Sequence, residues 1–133
     1  MPRTPPTVLI VEDDGLVRLM AADMLEDAGF AVLEATNADE ALAILERRGD
    51  IGTLFTDVDM PGSMNGFALA QRVAERWPRI RLVITSGRFS PDPSDGPDHG
   101  RFVAKPYRAA SVLQAIESAV EPRRRASGRD AGR

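Results

Sequence analysis

Residues 7–14 read TVLIVEDD, a short apolar run that ends in three consecutive acidic residues. Two more apolar runs, GTLFT at 52–56 and RLVIT at 81–85, are also followed by polar residues. Uninterrupted runs of Val, Ile, Leu and Thr of this length are typical of parallel strands that are buried on both faces. The three runs therefore predict the centre of a parallel sheet.

Helical periodicity fills the stretches between the predicted strands. Gly29 is the predicted C-cap of the first helix, and the run AVLE at 31–34 predicts another strand. Asn37, with Glu40 three residues later, has the spacing of a capping box at the start of a second helix. The apolar stripes predicted to face the core are Val17, Met20, Ala21, Met24 and Ala28 in the first helix, Ala41, Leu42, Ile44 and Leu45 in the second, Phe67, Ala70, Val73, Ala74 and Trp77 in the third, and Val112, Leu113, Ile116, Ala119 and Val120 in the last.

Alternation of strands with helices implies right-handed crossover connections and a doubly wound parallel sheet. The alternation breaks once, between Gly87 and Arg101. The residues in this stretch that oppose a long helix are Pro91, Pro93, Gly96, Pro97 and Gly100. We therefore predict a loop at 88–100, with at most one short helical turn, in place of a full helix.

Composition excludes several classes of protein. The chain contains no cysteine, which excludes disulfide bonds, thiol catalysis and cysteine-ligated metals. No apolar run approaches the roughly 18 residues of a membrane span, so we expect a cytoplasmic protein that does not bind membranes. The predicted organisation is an N-terminal extension at 1–6, one domain at 7–121, and a basic, disordered tail at 122–133.

The charge of the chain is unevenly distributed. Residues 122–133 contain five Arg and one Asp, so residues 1–121 carry 12 basic and 19 acidic side chains, a net charge of −7. An acidic body argues against nucleic-acid binding by the predicted domain.

Polar side chains gather at the carboxyl ends of the predicted strands, where doubly wound sheets bind ligands. They are Glu12, Asp13 and Asp14 after the first strand, Asp57 and Asp59 after the third, Thr85 and Ser86 at the end of the fourth, and Lys105 after the fifth. Crowded carboxylates repel by about 4 kcal/mol per pair at an effective dielectric constant near 20, so they need a cation or a raised pKa. These oxygen ligands suit Mg²⁺, or Mn²⁺ in its place. Taken alone, the acidic triplet would equally fit the start of a helix, where carboxylates cap backbone N–H groups.

Asp57 is the predicted nucleophile, because a carboxylate beside a bound divalent ion can accept a phosphoryl group as an aspartyl phosphate. Lys105 would balance charge on the transferring group, and Thr85 would donate a hydrogen bond to it. Lys105 is the only lysine in a chain with 16 arginines, which indicates a need for a compact ammonium group. The single histidine, His99, lies in the predicted loop, so a phosphohistidine donor has to come from a partner.

Four motifs together resemble a response-regulator receiver domain of two-component signalling, in its single-domain form. They are VLIVEDD at 8–14, LFTDVDMPG at 54–62, ITSG at 84–87 and FVAKPY at 102–107. The resemblance implies a flavodoxin-like (CheY-like) three-layer sandwich whose five-stranded parallel sheet has the order 2-1-3-4-5. It also implies a histidine kinase or histidine phosphotransfer protein as the phosphoryl donor, and a downstream protein target that the sequence does not name.

The resemblance also implies a role for each matching residue. The implied roles are phosphorylation at Asp57, metal binding by Glu12, Asp13, Asp57 and the backbone carbonyl of Asp59, catalytic and switch functions for Thr85, Lys105 and Phe102, and a cis proline at Pro106. Such a domain is not an enzyme in the usual sense, because it catalyses only its own phosphorylation and dephosphorylation.

The sequence departs from the family pattern at two of these positions. Phe102 lacks the hydroxyl of the more common Tyr, so an aromatic switch there would work by packing alone. Asp59 adds a carboxylate beside the phosphoryl site, and we expect it to change the lifetime of the aspartyl phosphate.

Two other functions stay open at this point. A pseudo-receiver would bind partners without phosphorylation, and retained phosphate chemistry would separate it from a working receiver. A haloacid-dehalogenase-like phosphatase would use Asp57 and Asp59 as its DxD pair. Against it, that motif belongs on the first strand of such enzymes, whereas here it follows the third.

Overall fold

The computed structural model describes residues 7–60, 62, 64–86, 100–105 and 107–118. Strands and helices alternate from the first strand to the fourth, as the sequence predicts. The strands are β1 (Thr7–Val11), β2 (Ala31–Ala35), β3 (Ile51–Asp57), β4 (Arg81–Ser86) and β5 (Arg101–Ala104), and the helices are α1 (Gly15–Asp27), α2 (Ala38–Arg47), α3 (Gly66–Arg76) and α4 (Ala109–Ser118).

Several predicted features lie outside the described residues. They are Pro106, residues 88–99 of the predicted loop, and the two ends at 1–6 and 119–133. The cis proline, the loop in place of a helix, and the extension and tail therefore stay predictions.

The five strands form one parallel sheet in the order β2-β1-β3-β4-β5. This order confirms the predicted doubly wound, flavodoxin-like fold. Because all strands run in the same direction, their carboxyl ends lie along one edge of the sheet. At this edge Asp57 of β3 is in register with Thr85 of β4, and Ser86 is in register with Ala104 of β5.

Helices cover both faces of the sheet and bury its alternating side chains. One face packs Leu9 and Leu54 against α2 and α3, and the other packs Val8, Ile10 and Phe55 against α1 and α4. Neighbouring strand residues point to opposite faces, so a strand covered on both sides is apolar at nearly every position. This three-layer arrangement explains the uninterrupted apolar runs of the sequence.

The predicted buried face of α1 is wrong in part. The buried residues are Ala21, Ala22 and Leu25, whereas Met20, which the prediction placed in the core, is 63% exposed. Ala28 is also exposed and forms the C-cap. Apolar side chains occur all around this helix, so its pattern does not specify one face, and small alanines are what the sheet accepts at close range.

Helix ends follow the predicted chemistry closely. The C-cap of α1 is Ala28, one residue before the predicted Gly29, and Gly29 follows it with a φ of 101°, which glycine adopts without strain. The Asn37 side chain accepts a hydrogen bond from the backbone N–H of Glu40 at 2.8 Å. The reciprocal bond differs from the predicted capping box, because the Glu40 carboxylate accepts from the N–H of Thr36 at 2.6 Å.

Candidate functional site

The acidic triplet that follows β1 divides between two tasks. Asp14 is the N-cap of α1, and its Oδ1 accepts hydrogen bonds from the backbone N–H groups of Leu16 and Val17 at 3.0 and 3.2 Å. The helix-capping interpretation therefore holds for Asp14. Glu12 and Asp13 instead belong to a cluster of carboxylates at the edge of the sheet.

The carboxylate cluster consists of Glu12, Asp13 and Asp57. One carboxylate oxygen from each residue lies within 4.8 Å of the others. Glu12 and Asp57 are each 4% exposed, whereas Asp13 is open to solvent. Because β1 and β3 are neighbours in the sheet, the chain turns that follow them bring these side chains together. The cluster is thus walled in by protein on one side and reachable from water on the other.

Lys105 supplies the positive charge that contacts this cluster. Its Nζ donates to Glu12 Oε1 at 2.9 Å and lies 3.4 Å from Asp57 Oδ1. Its backbone N–H donates to the Ser86 carbonyl at 3.0 Å, which ties the start of the β5–α4 connection to β4. Burial alone would lower the pKa of Lys105, but the hydrogen bond to Glu12 and the charges of Asp57 and Glu12 outweigh it, and the pKa is raised. Lys105 is therefore held in its charged form.

Asp57 is a poorly stabilised anion in this environment. Burial, followed by repulsion from Glu12, raises the pKa of its carboxyl from 3.8 to about 6, although Lys105 and the backbone N–H of Asp59 act in the opposite direction. A single ammonium group shared between two buried carboxylates does not offset their loss of hydration. A further cation would consequently stabilise the charged carboxylates of the cluster.

Two buried polar atoms at the site have no hydrogen-bond partner among the described residues. They are Asp57 Oδ1 and Thr85 Oγ1, whose residues are in register on neighbouring strands. Buried polar atoms are almost always hydrogen-bonded, so these two exceptions call for a further partner, such as a water molecule or a bound ion. An unsatisfied carboxylate oxygen beside two more carboxylates fits a hard divalent ion such as Mg²⁺.

The structure places the remaining predicted site residues at or near the same edge. The Asp59 side chain accepts a hydrogen bond from Ser86 Oγ at 3.1 Å, so its carboxylate is directed toward the end of β4. Phe102 lies on β5 and is 39% exposed, outside the carboxylate cluster. The metal-binding role of the Asp59 carbonyl and the switch role of Phe102 stay predictions.

Gly66, the first residue of α3, is a site residue that the sequence patterns do not reveal. A Cβ at this position would lie 2.0 Å from the backbone oxygen of Asp57 and 2.8 Å from Cα of Val58. The Gly66 N–H also donates to the Val58 carbonyl at 3.0 Å. Only glycine allows α3 to approach the phosphoacceptor candidate this closely. The sequence signal that was available is a glycine at the start of a helix, where no turn requires it.

Comparison with known families agrees with this geometry. The family model for the response regulator receiver domain matches residues 8–117. The chain belongs to this family. A receiver domain of two-component signalling thus forms the described body of the protein.

Individual receiver relatives match most of the chain. The response regulator receiver protein CpdR of Brucella abortus (strain 2308) is 31% identical over 114 residues, which are 83% of this chain and 92% of that protein. The transcriptional regulatory protein DctD of Rhizobium meliloti (strain 1021), for C4-dicarboxylate transport, is 33% identical over 122 residues. Those residues cover 90% of this chain and only 26% of DctD, so this chain is similar to a part of the longer relative.

Solved receiver structures share the fold. The receiver domain of the hybrid histidine kinase CckA superposes with a TM-score of 0.70 and 30% identity, covering 85% of this chain and 97% of that domain. A response regulator receiver protein from Sinorhizobium medicae WSM419 gives a TM-score of 0.81 at 24% identity, covering 90% and 97%. Among the helices that the structure describes, none has the length and apolar character needed to cross a bilayer.

The contact between Gly66 and Asp57 predicts that an alanine substitution destabilises the protein at Gly66 much more than at Gly49. Gly66→Ala forces a methyl group into backbone atoms that have no room to move, and we expect a loss of about 1–3 kcal/mol in the free energy of unfolding. Gly49→Ala is the matched control, because a Cβ there would meet nothing within 4 Å. Urea unfolding measures both. A Gly66→Ala protein as stable as the control would contradict this packing.

The raised pKa of Asp57 predicts that Asp57→Asn stabilises the metal-free protein. The pKa is about 6 in the folded state against 3.8 for the ordinary group, so ionisation of Asp57 opposes folding, fully above pH 6 and not at all below pH 3.8. Removing the charge should add up to about 3 kcal/mol to the free energy of unfolding near pH 7.5, and this gain should shrink as the pH falls toward 4. Urea unfolding in EDTA measures it. A gain that is absent, or equal at both pH values, would argue against a strained Asp57 anion.

Proposed function

We propose that this receiver domain is a magnesium-dependent switch that takes a phosphoryl group from a partner phosphohistidine onto Asp57. The observation that carries the proposal is the buried Asp57 Oδ1, which lies in the cluster with Glu12 and Asp13. Among the described residues it has an ion pair with Lys105 at 3.4 Å and no hydrogen bond. The phosphorylated and unphosphorylated forms would then bind different protein partners.

The donor set supports a magnesium site formed by Glu12, Asp13 and Asp57. Glu12 and Asp57 are buried, and Asp13 is exposed, so the site has a protein side and a solvent side. A bound Mg²⁺ would neutralise the carboxylates and polarise an oxygen of the incoming phosphoryl group. The Asp59 carbonyl is a further candidate ligand, because Asp59 follows Asp57 by two residues, just after the end of β3.

The proposed reaction is an in-line displacement on phosphorus. An oxygen of the Asp57 carboxylate forms the new bond to phosphorus while the bond from phosphorus to the partner's histidine nitrogen breaks. The histidine nitrogen keeps the electron pair. The imidazole leaves as a neutral ring if its other nitrogen carries a proton, and otherwise it takes up one proton from solvent to become neutral. Asp57 must be ionised to attack, so metal binding, which favours the anion, also prepares the nucleophile.

Lys105 and Thr85 are the residues that would respond to the phosphoryl group in this proposal. The Lys105 ammonium already lies 3.4 Å from Asp57 Oδ1, and Lys105 is the only lysine in the chain. Thr85 Oγ1 is buried without a hydrogen-bond partner among the described residues, so a new acceptor at Asp57 would satisfy it. Movement of Thr85 toward that acceptor would carry the signal into β4, and Phe102 on β5 would follow by packing.

The proposed partners follow from this chemistry. The chain's one histidine, His99, does not belong to a helical phosphocarrier pattern, so the donor is a histidine kinase or a histidine phosphotransfer protein. Among the relatives are the sensor kinase CckA of Brucella abortus, 30% identical over 122 residues, and a hybrid signal transduction histidine kinase of Dictyostelium discoideum. Catalysis by this domain would be limited to its own phosphorylation and dephosphorylation.

Incubation with acetyl phosphate and Mg²⁺ tests the proposal directly. We expect the intact mass to rise by about 80 Da, the mass of one phosphoryl group on a carboxylate nucleophile. Asp57→Asn and an EDTA control should both abolish the gain, because one removes the nucleophile and the other the cation. Electrospray mass spectrometry under rapid acid quench measures the adduct.

The same experiment separates the proposal from a pseudo-receiver. If neither acetyl phosphate nor a phosphorylated histidine kinase gives an adduct, the domain does not accept phosphate and the pseudo-receiver is the better account. An adduct that survives Asp57→Asn would place the phosphoryl group elsewhere and contradict the assignment of the nucleophile.

We expect the Asp59 carboxylate to shorten the lifetime of the aspartyl phosphate. One of its oxygens accepts from Ser86 Oγ, and the carboxylate lies in the loop beside Asp57, where it can take a proton from an attacking water. Asp59→Asn keeps a hydrogen-bond acceptor but loses the base. We expect the half-life of the phosphorylated form to lengthen, by at most the roughly 10²–10⁴-fold that a well-positioned base contributes.

Decay of the phosphorylated mass after removal of acetyl phosphate measures this half-life. Asp27→Asn, at the exposed end of α1, is the control for a lost carboxylate. A half-life in Asp59→Asn that is unchanged or shorter would show that Asp59 is not a base in dephosphorylation.

A further inference from the structure

Arg18 reaches from α1 back over the start of its own helix. Its Nη1 donates to the backbone carbonyl of Glu12 at 2.9 Å, and its Nε donates to Glu34 Oε1 on β2 at 3.0 Å. The Arg18 side chain is 20% exposed, so most of it is covered by protein. One guanidinium group therefore connects α1, the end of β1 and the edge strand β2.

We propose that Arg18 is a positioning residue for the metal site, which it serves by fixing the peptide unit between Glu12 and Asp13. The inference rests on the proposed function, since it concerns the residues assigned there to magnesium. Arg18 touches neither the cluster oxygens nor the phosphoryl group in this assignment; it acts through the backbone that carries two of the three carboxylates.

The physical reason is the planarity of the peptide bond. The Glu12 carbonyl and the Asp13 N–H belong to one rigid plane. A hydrogen bond to the carbonyl therefore also fixes the position of the Asp13 Cα, from which the Asp13 side chain projects. Asp13 is exposed and would otherwise rotate with that plane at little cost. Holding the carbonyl thus holds the solvent-side ligand of the proposed site.

The other polar groups of Glu12 are already fixed by separate contacts. Its N–H donates to the Ala35 carbonyl at 3.1 Å, its Oε2 accepts from the Asp14 N–H at 3.1 Å, and its Oε1 accepts from Lys105. Arg18 supplies the remaining contact, to the carbonyl oxygen. With all four in place, Glu12 has one defined orientation when the cation arrives, and little ordering is left for metal binding to impose.

The chemistry of this contact requires an arginine. A guanidinium group presents several N–H donors in a rigid plane, so it can serve the Glu12 carbonyl and the Glu34 carboxylate together. Arg18 makes the two contacts through different nitrogens, Nε and Nη1, whereas a lysine has a single nitrogen and would keep at most one contact in the same geometry. Glu34 has a 43% exposed side chain, and a partly exposed ion pair of this kind adds little to stability by itself. The main consequence of losing Arg18 should therefore appear in metal affinity.

Isothermal titration of the full chain with MgCl₂ tests this assignment. We expect Arg18→Ala to raise the Mg²⁺ Kd roughly tenfold, as loss of a residue that orients metal ligands commonly does. Arg18→Lys should recover only part of this loss, because it keeps one of the two contacts. Arg48→Ala is the matched control. Its guanidinium forms a two-contact pair with Asp50 at 2.9 and 2.6 Å, just before the opposite end of β3, and its loss should leave the Kd unchanged.

Thermal unfolding in EDTA provides the second readout. A cooperative transition well above the titration temperature shows that each variant is folded when Mg²⁺ is added, so that a difference in Mg²⁺ affinity is not a difference in folding. If Arg18→Ala does not fold, Glu34→Ala replaces it in the test. This variant removes the ion pair that holds Arg18, so it should also raise the Mg²⁺ Kd.

The outcomes separate this inference from the proposed function. Wild-type affinity for Mg²⁺ in a folded Arg18→Ala protein, or in Glu34→Ala where that variant carries the test, overturns the positioning role even if wild-type protein is phosphorylated. Failure of wild-type protein to accept phosphate while it still binds Mg²⁺ overturns the proposed function, and a raised Kd in Arg18→Ala would support the positioning role all the same.

Discussion

Repulsion among the carboxylates of Glu12, Asp13 and Asp57 is the interaction on which this site depends. Their oxygens lie within 4.8 Å of one another, and the single ammonium of Lys105 is divided between Glu12 and Asp57. The fold thereby holds the Asp57 carboxylate at the edge of the sheet with its negative charge only partly neutralised. In the proposed function, cation binding and phosphorylation would both change this balance, so the same few side chains would bind the cation, accept the phosphoryl group and switch.

The parallel sheet makes such crowding unavoidable. β1 and β3 are neighbours and run in the same direction, so whatever follows them in the chain meets at one edge. Gly66 brings the start of α3 against the backbone of Asp57, and Arg18 ties the segment after β1 to β2. The rigidity of the surrounding packing holds the acidic groups together against their repulsion, in the way that preorganised sites generally do.

Much of this could be predicted from sequence, because it depends on short-range patterns. The apolar runs at 7–11 and 81–85 predict buried strands, and their polar ends predict which residues share an edge. The buried face of α1 could not be predicted, since its apolar residues surround the helix and only the sheet decides which of them are covered. Met20 is the clearest case, at 63% exposed.

Contacts between distant residues were also beyond sequence patterns. Lys105 is expected near Asp57 from the family motif, but its hydrogen bond to Glu12 spans 93 positions in the chain and depends on side-chain geometry. The same is true of Gly66, whose importance comes from a backbone 2.0 Å from its absent Cβ. Such contacts follow no repeating pattern in the sequence, so the sequence identifies the residue but not the residue it contacts.

The most direct test of this account is an NMR titration of the Asp57 carboxyl carbon, in EDTA and in saturating Mg²⁺. We expect Asp57 to have a pKa of about 6 without metal, and a pKa below the ordinary value when Mg²⁺ is bound, because the cation favours the carboxylate. A pKa near 3.8 in EDTA, unchanged by Mg²⁺, would contradict the claim that a crowded, under-neutralised Asp57 anion organises this site.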